Sequence, residues 1–173
     1  GVRKLEVTSF SHPKLLPQFH DAEEVMRRIK RVAGVSYVVL MPNEKGFARL
    51  EACIDAGYGA DEIILMISAS QAHNLANFRM SHDEAKRSHA DIIRRAKDRG
   101  LKVIGCPGTV YGCAIMGDVP MADVLDITRF YVEEGADTIM LGDTTGAANP
   151  RLVRERIGAL QDAFPQADFI AHF

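Results

Sequence analysis

The 173-residue sequence predicts an α/β fold, a (β/α)8 TIM barrel represented by about six consecutive strand–helix units. Three observations predict it. Four segments, "VAGVSYVVL", "YGADEIIL", "DRGLKVIG" and "EEGADTIML", share one shape: a glycine, a short link, then a β-branched apolar run. Glycine suits the left-handed position that ends a helix, and the run after it reads as a buried strand. Amphipathic stretches separate the runs, so strand starts recur every ~27 to 40 residues, the length of one strand–helix unit. Polar residues gather where the strands end: Glu6, Thr8 and Ser9, then Asn43, Ser68, Ser70, Cys106, Asp143, Thr144 and His172. Active sites of barrels lie at that face. A doubly wound sheet is the alternative, but "LEVTSFSHPK" carries no GxGxxG after the first strand.

In chain order, the first strand falls near 3–8, where alternation places Glu6 and Thr8 on one face and Leu5 and Val7 on the other. A helix over 21–32 opens with Asp21 and Glu24 at capping-box spacing. A strand near 35–41, a helix over 44–56 and a strand near 62–67 follow. Ser81 and Glu84 have capping-box spacing at the start of a helix over 82–99. A strand near 102–106 leads through the long loop "PGTVYGCAIMGDVP" to a helix over 121–134. After a strand near 138–142, Asn149 and Pro150 read as a cap and a first-turn residue for a helix over 150–163. The last strand, near 168–172, stops in "DFIAHF". A closed barrel has eight strands. The expectation is therefore a single incomplete barrel domain over 1–173, lacking a first strand and one or more last strands.

Composition narrows the function. Apolar residues are 47% and charged residues 25%, as in globular proteins. A net charge of -2 gives no general basic surface for nucleic acid or an anionic membrane. No apolar run approaches the roughly 20 residues of a membrane span. Three cysteines without CxxC spacing favour a reducing compartment, and a cytoplasmic location is expected.

Three side chains stand out chemically. Glu6 would point into the barrel, where an ionised carboxylate needs a cation or hydrogen-bond donors; a site role is the leading reading, and an ion pair shaping the barrel is the alternative. Asp143 in "IMLGDTTG" follows a strand closely and is either a site acid or an Asx-turn residue. His172 stands at a strand's carboxyl end, where a neutral imidazole binds metals, although a lone histidine on an apolar strand is often a core residue. Lys14 and Lys45 lie in loops after strands, open to an anionic substrate or simply to solvent. No lysine occupies the second half of a strand, which argues against a Schiff-base aldolase. Cys113 either shapes a pocket mouth or packs as a buried thiol. His12, His20, His73, His82 and His89 form no HxxxH or HExxH pair and read as surface positions.

The stretch "LEVTSFSHPKLLPQFHDAEEV" resembles the hydroxymethylglutaryl-CoA lyase family. Further pieces come in the family's order: "MPNEKGF", "SAS" before a polar loop, "YGCAIMGDVP", "LGDTTG" and a final "AHF" like the start of a His-x-His metal motif. This resemblance implies a metal-dependent carbon–carbon lyase that cleaves 3-hydroxy-3-methylglutaryl-CoA to acetyl-CoA and acetoacetate. It implies a divalent cation, magnesium or manganese, with His172 as a ligand and Glu6 and Asp143 as catalytic acids or bases. Thr8, Asn43, Ser68 and Thr144 would contact an acyl-CoA substrate, and the enzyme would be a homo-oligomer, a dimer or higher. The family's Arg-Asp pair, second histidine, later asparagine ligand and catalytic cysteine have no counterpart here, and neither Cys106 nor Cys113 takes the last role. The 173-residue chain alone is accordingly expected to be inactive. A related condensing synthase and a non-catalytic barrel remnant are the competing readings.

Overall fold

A computed structural model describes residues 1–173 in full. Six strands, β1 (Lys4–Ser9), β2 (Ser36–Leu40), β3 (Glu62–Ser68), β4 (Lys102–Gly108), β5 (Thr138–Gly142) and β6 (Phe169–His172), form one sheet in sequence order. Every neighbouring pair is parallel, and the sheet curls into part of a barrel with the helices outside. The helices are α1 (Ala22–Arg28), α2 (Glu44–Asp55), α3 (Gln71–Phe78), α4 (His82–Asp98), α5 (Met121–Glu133) and α6 (Pro150–Ala163). None is long and apolar enough to cross a membrane. The predicted strands are all present.

Register assigns each strand residue to a face. Val39, Ile63, Val103, Ile139 and Leu141 pack outward, with α-helical residues such as Leu50, Ile92, Ile127 and Tyr131, in one core of 29 buried residues. Each fully buried side chain of that size contributes about 1.5–3 kcal/mol. Val38, Ile64, Ile104, Cys106 and Met140 face the concave side and make a second, smaller cluster. The alternation that built the sequence reading thus separates a helix-covered face from an inner one.

Three local features differ from the sequence reading. α1 ends at Arg28, because Ile29 turns extended and Val32 N donates instead to the Tyr37 hydroxyl at 2.8 Å. Its capping box is absent: Asp21 makes no side-chain cap, and Glu24 pairs with Arg27 and Arg28. Where a polar loop was read after β3, a helix of eight residues forms, capped by Ser70, whose side chain accepts from His73 N. The Ser81 box and the Asn149 cap form as read.

Candidate active site

The carboxyl ends of β1–β6 carry the polar residues that the sequence singles out. On β1 the register shifts between Glu6 and Thr8, so two residues of β1 face one of β2. Glu6 stays in register with Val38, on the concave face, and its side chain is exposed there. Thr8 instead pairs with Val39, a residue of the helix-side core, and Ser9 pairs with inward-facing Leu40. The bulge thus overturns the expectation that Glu6 and Thr8 share a face, and it turns Ser9 toward the interior. Ser9 Oγ and Ser11 Oγ lie 2.7 Å apart and are buried.

At the far edge, His172 is in register with Gly142, two residues beyond the inward pair Met140 and Ile170, and is exposed. Asp143 follows immediately: its backbone N donates to the His172 carbonyl at 2.9 Å. The Asp143 carboxylate accepts from Ala147 N at 2.9 Å and Ala148 N at 3.2 Å. Those bonds turn the β5–α6 loop and fix both oxygens in one orientation. The Thr144 hydroxyl accepts from Thr109 N at 2.9 Å, tying the loop after β5 to the end of β4. Asn43 caps α2 through Oδ1, accepting from Gly46 N at 3.1 Å. Gly46 also lets the start of α2 lie against the end of the β1 segment, since a Cβ there would lie 2.7 Å from the Phe10 carbonyl.

Electrostatics separate the cysteines. Burial pushes the Cys106 thiol up to about 12, and the Glu6 charge adds to the shift. Cys106 is thus a neutral thiol on the inner face, close enough to Glu6 to feel its carboxylate. Cys113 is the opposite case. Burial opposes its thiolate, but the Ser70 hydroxyl and the backbone N–H groups of Met116 and Ile115 outweigh that and hold the thiol below its ordinary range.

A cleft of about 390 Å³ opens at the carboxyl ends of the first three strands, lined by residues that include Ser11, Leu40, Asn43, Met66 and Met80. A larger hollow of about 680 Å³ lies at the opposite end, among Arg3, Arg31, Asp61, Arg99 and Lys102. Barrel chemistry belongs to the carboxyl end, so the smaller cleft is the relevant one. No three His, Cys, Asp or Glu side chains cluster as metal ligands. A hard divalent cation takes about six or more oxygen-rich ligands, so the residues of this chain do not complete such a site.

Three residues near this face escaped the sequence reading. His73 and Asn74 lie on α3, which was read as loop; the Ser70 cap and the run "QAHNLANF" were the available signal. Thr109 has a positive φ of 53°, uncommon for a β-branched residue, and is fully buried. Its Oγ1 accepts from Ser70 N at 3.1 Å and donates to the Gly108 carbonyl at 2.7 Å. Together with the Thr144 bond, this joins the ends of β3, β4 and β5. Nothing in "PGTVYG" signals it.

Comparison with known proteins agrees with this architecture. The HMGL-like family pattern matches residues 1–173. The hydroxymethylglutaryl-CoA lyase of Bacillus subtilis is 35% identical over 173 residues, which are 100% of this chain and 56% of that protein. The human mitochondrial hydroxymethylglutaryl-CoA lyase is 32% identical over 172 residues, 99% of this chain and 51% of that protein. The B. subtilis crystal structure superposes with a TM-score of 0.92 at 35% identity, covering 100% of this chain and 56% of that one. An Acinetobacter baumannii HMG-CoA lyase in complex with coenzyme A and 3-methylmalate superposes with a TM-score of 0.91 at 32% identity, over 100% of this chain and 55% of that one. The chain spans about half the length of these relatives. With the whole sequence matched and the half-barrel reproduced, the chain belongs to the HMGL-like family.

Proposed function

We propose that this chain forms part of a hydroxymethylglutaryl-CoA lyase-like enzyme that cleaves a 3-hydroxy-3-methylglutaryl-CoA-type thioester to acetyl-CoA and acetoacetate. The observation that carries the reading is the concave face itself: Glu6 at one edge and His172 at the other, with Asp143 hydrogen-bonded to the His172 carbonyl. In the reaction the tertiary hydroxyl loses its proton and becomes the ketone of acetoacetate. The adjoining carbon–carbon bond breaks, and its electron pair passes into a thioester enolate that must then gain a proton. Glu6 suits the first proton transfer, because its carboxylate makes no hydrogen bond within the chain and faces the open interior. Asp143 suits orientation, because two backbone amides already hold its oxygens. The related A. baumannii enzyme's complex with coenzyme A supports an acyl-CoA substrate.

Magnesium or manganese is the proposed cofactor, a Lewis acid for the substrate oxygens, with His172 as one ligand. Because this chain supplies no cluster of three ligands, the chain alone is expected to show no turnover. The test grafts residues 1–173 in place of the matched 56% of the B. subtilis relative. The folded chimera should release acetoacetate from 3-hydroxy-3-methylglutaryl-CoA, and Glu6→Gln within it should lower kcat about 10²- to 10⁴-fold, the usual worth of a general base. A folded chimera that instead condenses acetyl-CoA with a keto acid would overturn the lyase reading in favour of a synthase.

A further inference from the structure

We propose that His73 presents its Nε2–H to an oxygen of the bound acyl thioester, with Ser68 fixing the tautomer from behind. This rests on the lyase reading and adds to it a residue that contacts substrate. Ser68 ends β3 on the concave face, in register with Gly108 and two residues past Met66. It is 0% exposed, and side chains from the α3–α4 segment hold each of its polar atoms. Its N donates to Asn74 Oδ1 at 3.0 Å, its carbonyl accepts from His82 Nε2 at 2.8 Å, and its Oγ lies 2.7 Å from His73 Nδ1. A hydroxyl so enclosed has no free path to a ligand. The ring in contact with it does.

The direction of the Ser68–His73 bond follows from accounting for protons. A hydroxyl carries one proton, and no other acceptor lies in hydrogen-bond reach of Ser68 Oγ. If Nδ1–H donated to Oγ, that hydroxyl proton would be buried without a partner, losing its solvation with nothing in exchange. The neutral imidazole therefore accepts at Nδ1 and carries its proton on Nε2. Nε2 makes no hydrogen bond within the chain, and the residue is half-exposed. A ring touching an inner-face hydroxyl lies over the carboxyl end of β3, beside the cleft that Met66 and α3 residues line. An N–H fixed in that place suits a carbonyl or carboxylate oxygen, and most of all one that gains negative charge during enolate formation.

The experiment is a pair of proton–nitrogen spectra, long-range for histidine and one-bond for amides, of the folded chimera with labelled histidine and aspartate, at neutral pH. The long-range spectrum should show His73 protonated on Nε2 and bare on Nδ1. Titration with 3-hydroxy-3-methylglutaryl-CoA and magnesium should shift the His73 Nε2 proton together with Asp143 and His172 signals. His73→Phe should then weaken binding about tenfold, and His73→Gln, which keeps an N–H donor, should recover part of it. An Nδ1-protonated ring overturns the proposal. So does a ligand that shifts Asp143 and His172 while leaving His73 unmoved, an outcome that spares the lyase reading. A titration that moves none of the three overturns that reading and this proposal together.

Discussion

At the scale of single residues, buried histidine gives the sharpest expectation. His89 on α4 is 1% exposed, and its Nδ1 lies 3.0 Å from the Tyr131 hydroxyl on α5. Burial lowers its pKa from 6.5 to about 4. The folded value is thus below the unfolded one, and the unfolded chain takes up the proton first as pH falls. Stability from this group is complete above pH 6.5 and is lost between there and about pH 4. A depression of this size corresponds to about 3 kcal/mol over that window. Urea unfolding across the range should show His89→Gln losing less stability on acidification than the parent. Equal pH dependence would mean that the proton goes elsewhere. The sequence placed His89 on a helix surface, because a histidine between charged residues at helical spacing gives no sign of the tyrosine waiting 42 positions later. The placement of Glu6, Asp143 and His172 toward the carboxyl ends of their strands was legible for a different reason: a strand's end is visible in local pattern. Thr8 was not legible, since a one-residue bulge turns every later side chain over without leaving a composition signal.

Among the elements, the junction of α5 with β4 depends on an absent side chain. A Cβ on Gly105 would lie 2.4 Å from Tyr131 Cγ, and Tyr131 is fully buried. Gly105→Ala must push the ring and its helix away from the sheet, with an expected cost of about 1–3 kcal/mol. Because Tyr131 is also the partner of His89, this substitution should shrink the pH-dependent difference as well. Denaturant midpoints of Gly105→Ala, His89→Gln and the double variant would show that coupling as non-additivity. Purely additive values would show the two contacts to be independent. α4 offers a simpler case. Ser81 and Glu84 satisfy each other's backbone N–H groups, so Ser81→Ala should cost about 1 kcal/mol in the same measurement. Its motif could be read directly because both partners are local. Asp21 and Glu24 had the same spacing, but three arginines lie within seven positions of Glu24, and two of them, Arg27 and Arg28, take its carboxylate. Spacing names the candidates for a cap; competition from neighbouring charges decides whether the cap forms. α3 was overlooked because eight residues hold barely two turns, too few for a clear amphipathic period.

For the molecule as a whole, the parallel sheet sets both what the chain can do and what it is prone to. A closed barrel has no edge strands, whereas here β1 and β6 each pair on one side only. The inner face carries Leu40, Met66 and Ile170 only partly covered, beside a buried cluster of five residues. The outer face, by contrast, is sealed by helices around 29 core residues. The two faces therefore predict different behaviour from one sequence: a stable outer core and a concave surface seeking cover. β1 and β6 are the places where cover would add, since their free N–H and C=O groups template a further strand. Leu5 is 42% exposed on β1, and Ala171 is exposed on β6. A lysine on an edge strand opposes strand addition by its charge, while neither position belongs to the core that holds the fold. The double variant Leu5→Lys, Ala171→Lys should retain the parent's unfolding midpoint within ~0.5 kcal/mol. Light scattering over a concentration series should find it less associated than the parent chain. If association persists undiminished, the contact lies away from both edges, and the exposed concave cluster becomes the surface to alter, with Ile170→Lys as the next substitution.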